Sequence, residues 1–74
     1  MAKELDATGL ACPLPVLRAR KALREVAPGE RLIVRATDPS AVKDFHAFCE
    51  TTHTVLEDWR EDGGVYIFTI RKPA

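Results

Sequence analysis

Apolar residues fall along this chain in two rhythms. Leu5 and Ala7 alternate with Glu4, Asp6 and Thr8, the period of two that marks a short strand with one buried face. Gly9 ends it, and Pro13 through Val26 reads as a first helix stopped by Pro28-Gly29. Leu32, Val34 and Ala36 then alternate with Ile33, Arg35 and Thr37 in a second strand. Asp38-Pro39 opens a second helix, with aspartate as N-cap and proline at the first helical position. That helix runs to about Thr51, with Ala41, Val42, Phe45, Phe48 and Cys49 on one stripe. Thr54 to Arg60 predicts a third strand with Leu56 on one side and Val55 and Trp59 on the other, a pattern that suits a bulge. Glu61-Asp62-Gly63-Gly64 has the composition of a hairpin turn, and Val65 to Arg71 is the last strand.

The order β-α-β-α-β-β predicts an α+β fold. Strands separated by a crossover helix run parallel, and the last strand returns antiparallel through its hairpin. One four-stranded mixed sheet with both helices on one face is the economical arrangement. Ile33, Ile67 and Val65 fall opposite the core-facing set. They are either scattered surface hydrophobes or a contact face for a partner or a second copy.

Seventy-four residues make one small domain, residues 1–74, burying about 60–65% of the surface its unfolded form exposes. Charged residues at 30% and apolar residues at 46% are ordinary for a soluble globular chain. Eleven Lys and Arg balance eleven Asp and Glu, which argues against nucleic-acid binding by bulk charge. No apolar run reaches the roughly 18–20 residues of a membrane span. Met1-Ala2-Lys3-Glu4 lacks a secretory signal's apolar stretch, and two cysteines make no disulfide scaffold. A reduced, cytoplasmic protein is expected.

Chemistry concentrates in Gly9-Leu10-Ala11-Cys12-Pro13-Leu14-Pro15-Val16. Cys12 is expected in the N-cap position of the first helix, with Pro13 in the first turn, where a missing N–H costs nothing. Pro15 removes a second first-turn donor, which leaves the amides of Leu14 and Val16 near the thiol. A thiolate there would accept from one of them at the positive end of the helix dipole. Such surroundings lower a cysteine pKa from about 8.5 to roughly 3.5–7.5. Gly9 leaves room for a partner's backbone to approach. Three uses of an activated sulfur are open: acyl or thioester catalysis, thiol–disulfide exchange, and carriage of a sulfur atom as a persulfide. His46 and His53, the candidate bases for acyl transfer, are expected at the far end of the second helix, away from the N-terminus of the first. Pro15 occupies the place of a resolving cysteine, and Cys49 lies on the apolar stripe of the second helix, where burial is expected. A lone thiol without a local partner suits a carrier; the plain alternative is a cysteine acting as a small helix cap.

Cys12-Pro13-Leu14-Pro15, preceded by Asp6-Ala7-Thr8-Gly9-Leu10, resembles the Cys-Pro-x-Pro signature of the TusA/SirA-like sulfur-carrier family. Pro28-Gly29-Glu30, Thr37-Asp38-Pro39, Phe48-Cys49 and Gly63 before the last strand extend the resemblance over nearly the whole chain. It implies a two-layer α/β sandwich with sheet order 1-2-4-3, and a sulfurtransferase-type role for Cys12 as acceptor and donor of persulfide sulfur. No metal or organic cofactor is implied. Donors in such a family are a cysteine desulfurase or a rhodanese-like protein. Acceptors are relay proteins of the DsrE/TusD type, leading to tRNA thiolation, molybdenum cofactor synthesis or sulfur oxidation. A regulatory interaction module built on the rigid Cys-Pro-x-Pro turn is the alternative from another class. An RNA-binding module on the basic first helix is a third.

Leu14 falls about 160° from the buried stripe of Val16, Ala19, Leu23 and Val26 at 100° per residue, so it is expected exposed beside the thiol. TusA-type members of the tRNA pathway commonly carry glutamate here, so an exposed leucine either favours an apolar docking groove and a different acceptor or marks a position that drifts freely. Arg18, Lys21 and Arg24 are expected on one outer side, opposed by Glu25 alone. They form either a solvated face or a docking patch for an acidic partner. His46, Cys49 and His53 stand at i, i+3 and i+7 without a fourth ligand, so no metal site is expected. Asp38 is expected to be a helix cap and little more.

Overall fold

The computed structural model describes residues 2–74; Met1 lies outside the described residues. The elements follow the expected order: β1 (Ala2–Ala7), α1 (Leu14–Leu23), β2 (Arg31–Ala36), α2 (Ala41–Thr52), β3 (Val55–Asp62) and β4 (Val65–Arg71). The sheet runs β1-β2-β4-β3. β1 and β2 pair parallel, and β4 pairs antiparallel with both β2 and β3. It is the α+β sandwich that the pattern of strands and helices predicts.

Strand alternation places the core. Ala7, Leu32, Val34, Ala36, Phe68 and Ile70 are buried beneath Ala19 and Leu23 of α1 and Ala41, Phe45, Phe48 and Cys49 of α2. Phe45 stacks on Phe68 with ring centroids 4.6 Å apart and meets Phe48 edge-on at 6.3 Å. These aromatic contacts give the thin core most of its shape.

Several boundaries move, each for a local reason. β1 starts earlier than Glu4 because its pairing with β2 continues to Ala2↔Arg31. The α-helix of α1 stops at Leu23, short of Val26. Beyond it the chain tightens into i→i−3 bonds, Glu25 N–H to Ala22 O and Val26 N–H to Leu23 O. Lys72 then reaches over this end and donates from Nζ to Leu23 O at 2.9 Å and Val26 O at 2.8 Å, satisfying carbonyls that a helix end leaves open. The hairpin is shorter than its composition suggests. Asp62 pairs with Val65, so only Gly63 and Gly64 turn, with φ of 58° and 87°; positive φ at both positions is what a two-residue hairpin of this kind demands.

The bulge in β3 is present, with the register shifting between Leu56 and Asp58. One extra residue there brings Leu56, opposite Ile70, and Trp59, opposite Phe68, to the same helix-covered face. Trp59 therefore parts from Val55, stacking along Phe68 at 6.4 Å and meeting His46 edge-on at 6.2 Å. On the open face, Glu57 pairs with Arg31 and Arg71, and Arg35 with Glu4. Ile33, Val65 and Ile67 are half-buried within that charged belt.

Replacing Lys72 with methionine keeps the aliphatic stem and removes both bonds to the end of α1. Loss of charge-assisted bonds at a partly buried site is expected to cost about 1–2 kcal/mol. For a chain of this size that lowers Tm by roughly 6–13 °C, readable by thermal melting.

Candidate functional site

Adjacent parallel strands deliver their outgoing loops to the same end of a sheet, and here the β1–α1 and β2–α2 loops are bonded together. Gly9, at φ 79°, turns its N–H onto Thr37 Oγ1 at 2.9 Å. The requirement for glycine is this backbone angle, since an added Cβ would meet nothing within 4 Å. Thr8 folds the strand end onto Asp6, its N–H at 3.0 Å and its hydroxyl at 2.6 Å from Asp6 Oδ1. Asp6 is thereby a turn residue opposite Arg35 on the open face.

Asp38 is not the N-cap of α2: the helix starts at Ala41 with Ser40 as its N-cap, because Asp38-Pro39 closes a turn ahead of it. Asp38 Oδ1 accepts from Ser40 N–H at 3.1 Å, the closing bond of the α2 entry. Its Oδ2 accepts from Cys12 N–H at 2.6 Å. One carboxylate thus fixes the start of α2 and the loop that bears the cysteine. The bond from Cys12 N–H, then those from Ser40, hold the Asp38 carboxyl below the ordinary aspartate range.

Cys12 is exposed, but it is not the N-cap of α1. The chain turns one residue later than expected: Pro13 caps the helix, Leu14 is its first residue, and the Cys12–Pro13 peptide is cis. The amide of Leu14, expected to face the thiol, donates instead to Ala11 O at 2.9 Å. The side chain lies against α2. Cys12, Val16 and Arg20 line one wall of an open groove of about 290 Å³, and Asp44, Phe48 and Thr51 line the other. Arg20 carries its guanidinium over the Phe48 ring at 5.9 Å. The groove continues along Leu23, Arg24 and Thr52 to Lys72.

The expected lowering of the thiol pKa is overturned. The Asp44 carboxylate, facing the Cys12 thiol in the same groove, is the largest influence raising its pKa above the ordinary thiol value. Desolvation and the charges of Asp44 and Asp38 push the same way, while a bond from the Ser40 hydroxyl opposes them. Position explains the reversal: the sulfur precedes the α1 amides and meets the acidic first turn of α2. Asp44 and Ser40 escaped the sequence reading, although a signal was there. Both crossover helices run the same way over the sheet, so their N-termini meet. Asp44, Phe48 and Thr51, at i, i+4 and i+7, share one stripe.

Leu14 is exposed at 42% beside this loop, and Leu17 at 52% follows it; Pro15 is buried. The basic residues of α1 divide between two hollows. Arg18 and Lys21 line one beside Lys3 and Glu25, which bond to each other at 2.9 Å. Arg24 lines the groove toward α2 with Arg20. His46, Cys49 and His53 also part company. His46 is exposed with Nδ1 bonded to Val42 O at 2.7 Å, Cys49 is in the core, and His53 ends α2 at φ 59°.

Residues 3–72 match the family model described as sulfurtransferase TusA. The chain belongs to the TusA family. Its TusA relatives include the sulfur carrier protein TusA of Allochromatium vinosum, 51% identical over 70 residues, covering 95% of this chain and 92% of that one. The protein of the same name from Pseudomonas paraeruginosa is 46% identical over 70 residues, covering 95% and 89%. The crystal structure of a SirA-like protein from Desulfitobacterium hafniense superposes with a TM-score of 0.84 at 29% identity, each chain covered completely. The TusA frame thus accounts for the whole β-α-β-α-β-β arrangement.

The Asp38 bond is open to measurement. The amide proton resonance of Cys12 is expected to titrate with a midpoint below the ordinary aspartate value. Above that midpoint the ionised carboxylate holds the amide; below it the bond weakens, and with it whatever stability it gives. In Asp38→Asn the titration disappears.

Proposed function

We propose that this TusA-family chain is a sulfur carrier that receives sulfane sulfur on Cys12 and hands it to an acceptor protein. The observation that carries the reading is an exposed cysteine at the mouth of an open groove, held by its backbone to a second loop. Its surroundings favour carriage over the other sulfur chemistries. Acyl transfer wants a histidine base at the nucleophile, and neither His46 nor His53 lines the groove. Dithiol exchange needs a second reachable thiol, whereas Cys49 is 5% exposed and burial pushes its pKa to about 11. Among the described residues no group of three His, Cys, Asp or Glu is placed to hold a metal.

Loading begins when Cys12 sulfur attacks the outer sulfur of a donor persulfide. A new S–S bond forms, the donor's S–S bond breaks, the donor cysteine leaves as thiolate, and the Cys12 proton passes to solvent. Unloading is the same displacement with an acceptor thiolate as nucleophile. An exposed site suits this, because each partner must bring its own cysteine to the sulfur. The donor is a cysteine desulfurase or rhodanese-like protein, and the acceptor is of the DsrE/TusD kind, in a reducing cytoplasm where the thiol stays free. Arg18, Lys21 and Arg24 steer acidic partner surfaces by charge. Gly9, Pro13 and Pro15 shape the loop, and Leu14 offers an apolar contact beside the sulfur. No direct contact with nucleic acid is part of this reading, and no helix among the described residues is long and apolar enough to cross a membrane.

Incubation with a cysteine desulfurase and cysteine, or with thiosulfate and a rhodanese, is expected to add one sulfur atom by intact mass. The gain should be reversed by reductant and absent in Cys12→Ser; no gain from either donor on a free thiol defeats the proposal. For Leu14→Glu, loading should persist while transfer to an apolar acceptor slows several-fold; unchanged rates to every acceptor would remove Leu14 from partner choice.

A further inference from the structure

Asp44 has no part in the transfer steps above, yet its carboxylate lines the same groove as the sulfur on which they turn. The charged and titratable groups around Cys12 come from each element packed there. Asp44 belongs to α2, with the Ser40 hydroxyl at its cap; Asp38 lies in the β2–α2 loop, and Arg20 lines the groove from α1. Asp38 is committed to two backbone amides. The guanidinium of Arg20 is engaged over the Phe48 ring. Asp44 is therefore the carboxylate presented to the sulfur, and it lines the same groove into which a second sulfur on Cys12 would extend.

Persulfides ionise more readily than thiols, and their two forms react in opposite senses. The protonated form, R–S–SH, is electrophilic at its outer sulfur and open to attack by a thiolate. The ionised form, R–S–S⁻, repels a thiolate and itself attacks electrophiles. We propose that Asp44 holds the outer sulfur carried on Cys12 in its protonated, electrophilic form, an assignment that rests on Cys12 carrying sulfur. A fixed negative charge disfavours a second one beside it, and the carboxylate accepts a hydrogen bond from S–H but none from S⁻. In the transfer step the acceptor thiolate bonds to the outer sulfur, and the bond from that sulfur to Cys12 Sγ breaks with its electron pair moving to Sγ. The proton stays on the transferred sulfur, giving acceptor–S–SH and a Cys12 thiolate that receives the Ser40 hydroxyl and then a proton from water.

The test loads wild type, Asp44→Asn and Asp44→Glu with inorganic polysulfide, so that no donor protein is needed. Perthiolate absorbance is then followed against pH. Two probes read the loaded sulfur at one pH: cyanide, which attacks the electrophilic form and releases thiocyanate, and iodoacetamide, which labels the ionised form. The wild-type ionisation midpoint should lie above that of glutathione persulfide. In Asp44→Asn it should fall by about one pH unit, with slower cyanolysis and alkylation faster by up to about tenfold; Asp44→Glu should restore wild-type behaviour. A purely structural role would not move the two probes in opposite directions. If wild type loads but its midpoint matches glutathione persulfide, the assignment fails without any reliance on a variant. Loading of both proteins with identical midpoints and rates also overturns it. Failure of wild type to take sulfur on Cys12 overturns instead the carrier reading on which it rests.

Discussion

Everything at the reactive end of this molecule depends on one carboxylate joining two loops. Parallel β1 and β2 bring the loops together, but adjacency alone would leave Cys12 on an exposed run of backbone. The bonds from Asp38 to Cys12 N–H and to Ser40 N–H make the cysteine's position a function of where α2 begins. Gly9 and Thr37 add a second tie a few residues away. A small chain has little core with which to hold a loop rigid, and polar bonds between loops do that work where burial is scarce.

That tie also sets the electrostatics of the thiol. Drawn against α2, the sulfur meets the acidic turn containing Asp44 and is removed from the amides of its own helix. A cysteine ahead of a helix is commonly read as an activated thiolate; here the neighbouring helix dominates. The result is a thiol that stays protonated more readily than an ordinary one, reached from an open groove whose floor is apolar and whose rim carries Arg20 and Arg24.

Period and punctuation in the sequence were enough to read the element order, the helix-covered face, the bulge and the exposure of Leu14. Each of these depends on residues close in the chain. What escaped depends on the meeting of distant segments. Asp38 looked like a cap because Asp-Pro before a helix is a local signal, while its bond to Cys12 spans 26 residues. Asp44 carries no local mark of its place, and only the parallel course of the two helices sets it against the cysteine. The C-terminal end of α1 departs from the local pattern for a similar reason: Val26 is buried as a helix would require, but the carbonyls there are bonded by Lys72 from beyond β4.

The β3 bulge carries a meaning beyond the placement of Trp59. β3 is an outer strand of the sheet, and an outer strand is an open invitation to pair with another chain. Here five of its eight residues, Glu57, Asp58, Arg60, Glu61 and Asp62, are charged, and the bulge breaks the regular ladder near its start. Two copies meeting along this strand would set carboxylate against carboxylate over an interrupted register. The same irregularity that packs a tryptophan thus works against runaway sheet growth, a useful safeguard for a protein whose task brings it into repeated brief contact with others.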